Sequence, residues 1–178
     1  MIHLFYCETV NKNMSEAAVS LLNSAVWAIF GVTPPRIEKT PNGKPFFPDM
    51  PQLFFSLSHS GDFCACALSD TSVGCDIQII KDVSSGLIKR TCRDEELEKL
   101  DFFSLWSLKE SYIKLYGERP SPLRDIVFLP DGHLFRSGEV YGRVYGRVSG
   151  YSMAVCSKDR SDLEALSPVN IADITFRT

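Results

Sequence analysis

The chain has no run approaching the ~20 apolar residues that a membrane-spanning helix needs. Its first ten residues, MIHLFYCETV, hold neither a basic segment nor a long apolar stretch. These absences predict no secretory signal, no membrane partner and a cytoplasmic protein. A basic surplus is missing too: 19 Lys and Arg stand against 22 Asp and Glu, a net charge of -3. Nucleic-acid-binding domains usually carry that surplus, so no nucleic-acid partner is expected. Any phosphate recognition must then come from a local cluster of Lys, Arg and His. The six cysteines, at 7, 64, 66, 75, 92 and 156, contain no C-x-x-C pair. At this low density they predict small buried thiols ahead of a disulfide framework or a zinc site. What is present is the composition of a folded soluble protein, 44% hydrophobic and 23% charged. A length of 178 residues suits one domain, or two small halves sharing a core.

Patterning supplies the elements. Ile2 to Cys7 reads as a strand. Ala18, Leu21, Leu22, Ala25, Val26, Ile29 and Phe30 have helical spacing over 15–30, with Gly31 as a stop. Arg36 to Thr40 could be a short strand, and Asn42-Gly43 signals a turn. LFFSLS, FCACALS and SVGCDIQII follow as strands separated by SGD and SDT turns. Residues 84–91 are ambiguous, 94–100 read as a short acidic helix, and 102–116 as a long helix closed by Gly117. Strands return at DIVFL, HLF, EVYGRVYGRV and YSMAVCS, with a turn at Pro130-Asp131-Gly132; 158–169 look loop-like, and IADITF suits a last strand. A helix followed by strands thus occurs twice, in 1–80 and in 81–178. That order predicts an α+β fold, not a parallel βαβ sheet.

Four places could carry chemistry. Ser58 and His59 end a strand at a glycine turn, where a hydroxyl and an imidazole can donate to a phosphate. Asp76 and Gln78 share one face of the strand 73–79, about 6.5–7 Å apart, where two oxygen ligands could meet Mg²⁺. The helix 102–116 is apolar almost all round, yet carries Lys109, Glu110 and Lys114. Such charges are costly without partners, and a cleft holding a phosphate and a metal would supply them. Lys44 follows the tight turn and can reach an anion. An ordinary turn, a polar sheet face, a surface ion pair and an exposed lysine would account for each one singly.

Together, N-G-K-P, S-L-S-H-S-G, V-G-C-D-I and W-S-L-K-E-S-Y-I-K, in this order and spacing, resemble the 4'-phosphopantetheinyl transferase superfamily of the surfactin-synthetase-activating type. The resemblance covers about residues 42–157. It extends through G-E-R-P-S-P-L after the helix and Y-S-M-A-V-C late in the chain. It implies an α+β pseudo-dimer of two similar halves, 1–80 and 81–178, forming one compact unit with the active site in the cleft between them. It implies a holo-[acyl-carrier-protein] synthase type of enzyme. Such an enzyme moves the phosphopantetheine arm of coenzyme A onto a serine of an acyl, aryl or peptidyl carrier protein, and adenosine 3',5'-bisphosphate leaves. By the same resemblance, Lys44, Ser58, His59, Asp76, Lys109 and Lys114 meet coenzyme A. Asp76 and Glu110 hold Mg²⁺, with Gln78 where relatives have a third acid. Glu110 and Lys114 act at the reacting phosphate, and Glu95 or Glu96 is the general base. The internal duplication implies a monomer.

Three departures bear on activity. Gln78 replaces an acid, Ser56 replaces an asparagine, and the helix 15–30 has no Lys or Arg to hold the 3'-phosphate, so Lys12, Arg36 or Lys39 would have to substitute. These features favour an alternative: a non-catalytic relative that binds coenzyme A or a carrier protein without transfer. Intact Asp76, Lys109, Glu110 and Lys114 oppose it.

Overall fold

A computed structural model of the chain describes residues 1–9, 13–118, 122–146 and 148–173. In chain order the elements are β1 (Ile2–Glu8), α1 (Met14–Phe30), β2 (Glu38–Lys39), β3 (Pro45–Phe46), β4 (Phe54–Ser60), β5 (Phe63–Ser69), β6 (Val73–Ile79), α2 (Ser85–Thr91), α3 (Asp94–Leu97), α4 (Phe102–Tyr116), β7 (Leu129–Asp131), β8 (Leu134–Ser137), β9 (Val140–Tyr145), β10 (Tyr151–Ser157), α5 (Arg160–Ala165) and β11 (Val169–Asn170). One sheet has the order β11-β1-β5-β4, the other β6-β10-β9-β8-β7. Within these two sheets every pairing is antiparallel except β11 beside β1. The fold is α+β.

The alternation of side chains along the strands builds the layers. Phe5, Phe55, Cys64, Cys66 and Leu68 leave one face of the first sheet and pack on Ala18, Leu21, Leu22, Ala25 and Val26 of α1. Leu4, Ala65 and Ala67 leave its other face and meet Val73, Cys75, Ile77, Met153 and Val155 of the second sheet. The far side of that sheet, with Ala154 and Cys156, packs on Leu108 and Leu115 of α4. The layers therefore run helix, sheet, sheet, helix. Strand β6 precedes residue 80 yet pairs with β10, while β11 returns to β1, so each sheet receives one strand from beyond that point.

Strand β6 is an edge strand, and its outward amides need acceptors. Serines of β4 supply them: the Cys75 N–H donates to Ser56 Oγ at 3.0 Å and the Ile79 N–H to Ser60 Oγ at 3.0 Å. Hydroxyls spaced four residues apart thus join the two sheets.

Several expectations need correction. Residues 160–165 form α5, capped by the Asp159 side chain and anchored by the buried Leu163, where a loop was expected. Ile171–Asp173 is a 3-10 turn, the last strand being Val169–Asn170; residues 174–176 of the expected strand lie outside the described residues. Leu123–Asp125 is also a 3-10 turn, so the strand read over DIVFL begins only at Leu129. The first strand after α1 shrinks to Glu38–Lys39, and β9 ends at Tyr145. Residues 84–91 resolve as a helix capped by Ser84.

All six cysteines are free, and five are buried, Cys7 being half-buried. Burial raises the Cys66 and Cys156 thiols far above their usual range, and Cys75 and Cys92 to about 11. A thiol reagent at pH 8 is therefore expected to label at most Cys7 rapidly in the native protein, and all six thiols after denaturation. Rapid native labelling of several thiols would contradict this core.

Candidate functional site

Helix α4 starts at Asp101, whose side chain accepts the amides of Phe103 and Ser104, and stops at Gly117 in the left-handed conformation. Both its apolar residues and its serines meet the sheet, Leu108 lying over Gly142. Ser107 and Ser111 donate to the carbonyls of Ser152 and Ala154 on β10. Over β6 the approach is closer still. A Cβ at Gly74 would lie 1.9 Å from the Ser111 carbonyl oxygen and 2.6 Å from the Leu115 nitrogen. Glycine here lets the helix sit against the strand.

That contact brings Lys114 to Asp76, two residues beyond Gly74 on the same face of β6. Lys114 Nζ donates to Asp76 Oδ1 at 2.7 Å, and Ser58 Oγ of β4 donates to the same oxygen at 2.6 Å. Asp76 is 5% exposed, and its Oδ2 is buried with no hydrogen-bond partner among the described residues. An anionic oxygen left so is costly unless a cation or donor completes it. Glu110 stands one turn before Lys114 on α4, half-buried, and Gln78 is half-buried at the end of β6.

The Asn42-Gly43 turn closes this region. Lys44 Nζ donates to the Leu115 carbonyl at 2.5 Å and to Ser72 Oγ at 3.3 Å, at the negative end of α4. Burial lowers the pKa of this ammonium. Asn42 Nδ2 reaches Glu118 Oε1 at 2.8 Å. Between turn, β4 and helix lies a cleft of about 240 Å³ whose lining includes Asn42, Lys44, Ser56, Leu57 and Lys114. An apolar hollow of about 250 Å³ adjoins it, sharing Lys44, Pro45 and Phe55 and adding Phe46 and Phe54. Two cations and an incompletely satisfied carboxylate beside an apolar hollow suit an anion carried on an organic group, with a dication.

The structure divides the expected site residues. Ser58 and Lys114 meet on one oxygen of Asp76, and Lys44 lines the same cleft as Lys114. His59 is exposed at the end of β4, and Glu95 is exposed on α3. Lys109 and Glu96 go elsewhere. Lys109 is 0% exposed and donates to the Thr91 carbonyl at 2.7 Å and to Glu96 Oε2 at 2.9 Å. Glu96, also 0% exposed, accepts the amides of Arg93 and Phe128 as well. In this arrangement neither Lys109 nor Glu96 presents an open atom. Of the expected 3'-phosphate substitutes, Arg36 pairs with Glu38, Lys39 is exposed, and Lys12 lies outside the described residues. Sequence reasoning missed the parts played by Gly74, Ser56 and Ser72. A glycine two residues before the acid and serines at period two were the available signals.

Among the described residues no three His, Cys, Asp or Glu side chains come together as a metal site. The orphaned Asp76 oxygen still fits a hard cation completed by water and ligand oxygens. No described helix is long and apolar enough to cross a membrane.

A family model described as the 4'-phosphopantetheinyl transferase superfamily matches residues 72–156, the span holding Ser72, Gly74, Asp76, α4 and β10. The chain is 31% identical over 154 residues to 4'-phosphopantetheinyl transferase Sfp of Bacillus subtilis (strain 168), covering 74% of this chain and 67% of the relative. It is 30% identical over 161 residues to a second 4'-phosphopantetheinyl transferase of Bacillus subtilis, covering 77% and 70%. Over 99 residues it is 36% identical to 4'-phosphopantetheinyl transferase AcpT of Escherichia coli (strain K12), covering 47% and 49%. Both Bacillus alignments extend well beyond the span the family model matches. On that breadth of likeness, the chain belongs to the 4'-phosphopantetheinyl transferase superfamily.

Proposed function

We propose that this protein transfers the 4'-phosphopantetheine arm of coenzyme A to a serine of an acyl, aryl or peptidyl carrier protein, in the manner of a holo-[acyl-carrier-protein] synthase. Adenosine 3',5'-bisphosphate is the other product. The observation that carries this reading is that Lys44 and Lys114 line one cleft, with Lys114 paired to the buried Asp76. Residues 1–80 and 81–178 are read as two similar halves of a pseudo-dimer that exchange edge strands, with the active site between them. A cytoplasmic monomer is the working state.

Lys114 and Lys44 hold the pyrophosphate and offset the charge that develops as its bond to the leaving bisphosphate breaks. Such reactions depend mostly on positioning and electrostatics. Ser58 orients Asp76, and His59 donates to a phosphate oxygen from the end of β4. The hollow beside Lys44 takes an apolar or flat part of the coenzyme. Asp76 and Glu110 would hold Mg²⁺, with Gln78 or water at a third position, and the ion would supply neutralisation of phosphate charge. The carrier serine attacks phosphorus and gives its proton to a cleft carboxylate or to a water held by one. Glu96 is buried, which leaves the exposed Glu95, or a water held by Glu110, as the candidate acceptor.

The test is product release. Adenosine 3',5'-bisphosphate is expected only when coenzyme A, Mg²⁺ and an apo-carrier are all present. Coenzyme A that raises Tm with no release across a broad carrier panel would favour the binding-only alternative, which Gln78 supports.

Gln78 gives a second expected result. Gln78→Glu adds charge at short range, so the Mg²⁺ concentration for half-maximal transfer should fall. An unchanged value would remove Gln78 from the ion's surroundings.

A further inference from the structure

The cleft depends on how α4 is turned, and contacts on two sides of the helix fix that. Gly74 sets how near the helix comes. The hydroxyls of Ser107 and Ser111 tie it to β10. Leu108 and Leu115 pack it on Ala154 and Cys156 of the same sheet. Glu110 and Lys114 lie one turn apart on the same face. A modest roll of the helix would carry Lys114 away from Asp76 and turn Glu110 with it.

Lys109 reaches the other way. It follows Leu108 and precedes Glu110, about 100° from each around the axis. Its ammonium is held by the last carbonyl of α2, from Thr91, and by Glu96. Glu96 is itself fixed by three donors from three segments: the Arg93 amide at the start of α3, the Phe128 amide before β7, and Lys109. Both carboxylate oxygens are used and neither residue sees solvent. A buried ion pair gives little net stability, but separating its charges in a dry core is costly. A roll or slide of α4 would break the two hydrogen bonds of Lys109, while the Arg93 and Phe128 amides hold Glu96 where it is.

We propose that Lys109 and Glu96 are positioning residues: their buried pair helps fix the roll of α4 so that Lys114 meets Asp76, with Glu110 one turn before it, and neither touches coenzyme A or takes the serine proton. This role rests on the transferase reading and adds to it a cause for the cleft's geometry.

The experiment compares the wild type with Lys109→Met, Glu96→Gln and the double variant Lys109→Met/Glu96→Leu. It measures Tm, kcat, KM for coenzyme A and the pH profile of kcat. Lys109→Met strands a buried carboxylate and should lower Tm by about 10 °C. The double variant removes both charges, and apolar packing should recover most of that loss. Positioning predicts that the folded double variant keeps kcat within about 30-fold of the wild type and KM within about 3-fold. Glu96→Gln should keep the wild-type pH profile, with kcat lowered uniformly.

A double variant that regains Tm but loses about 10³-fold or more in kcat would overturn the proposal, as would loss of the acidic limb of the profile in Glu96→Gln. A KM for coenzyme A raised tenfold or more in the double variant would put Lys109 at the ligand and overturn it too. A wild type that transfers nothing in the same assay defeats the transferase reading itself, and this role with it. That outcome is distinct from an active wild type beside a folded, inactive double variant.

Discussion

Asp76→Ala is expected to lower transfer by about 10²–10³-fold or more, the loss typical of removing one preorganised electrostatic contact, while the protein stays folded. The side chain accepts from Ser58 and Lys114 on one oxygen and leaves the other buried without a partner among the described residues. Deletion removes two good contacts and one desolvated oxygen together. The losses and the relief offset, and the freed Lys114 ammonium, already 29% exposed, can turn to water. The net stability cost should be about 1–3 kcal/mol, the range for hydrogen bonds to charged groups. Circular dichroism and a melting curve check the fold, and the transfer rate at saturating Mg²⁺ checks the chemistry. Asp76→Asn sharpens the result. It keeps an oxygen for Ser58 and Lys114 but loses the charge, so transfer should remain low while Tm stays nearer the wild type. Full activity in either variant would remove Asp76 from the reaction.

Gly74→Ala should damage both fold and function through a single methyl group. With 1.9 Å to the Ser111 oxygen, a Cβ cannot be accommodated by a side-chain rotation, since the obstacle is helix backbone. Helix α4 must lift from β6 by more than 1 Å, roughly the shortfall from an ordinary contact. Overpacking of this kind costs about 1–3 kcal/mol, with more at rigid contacts. A displacement near 1 Å at a catalytic group can cost about 10²-fold in rate. The expected outcome is a Tm lower by several degrees and a transfer rate lower by about 10²-fold. A Gly74→Ala variant with wild-type rate and Tm would mean that the helix is free to shift without moving Lys114.

These two positions also show how far the sequence reaches. The helix 102–116 was legible to the residue, because Asp101 and Gly117 bracket an unbroken apolar pattern. The strands 63–69 and 151–157 were equally clear, being continuous apolar runs at the centre of the sheets. Short pieces were not: α5 and β11 are held by Leu163, Leu166 and one parallel pairing, contacts that leave no periodicity. In the site, the charges on an otherwise buried helix rightly demanded partners, and Lys114 finds Asp76. Lys109 poses the same demand in sequence but meets it internally, with a carboxylate 13 residues earlier. Nothing in residue type or spacing separates those two lysines; only the direction each leaves the helix does. Gly74 was visible as a strand glycine, but the helix backbone above it was not.

The most direct test of a transferase cleft at Asp76, Lys114 and Lys44 is the intact mass of an apo-carrier. It is incubated with coenzyme A, Mg²⁺ and either the wild type or Asp76→Asn, and the modified residue is then located by fragmentation. The wild type should add one phosphopantetheine to one carrier serine, only with divalent metal, and Asp76→Asn should add none in the same time. A carrier modified equally well by the folded Asp76→Asn variant would contradict this account.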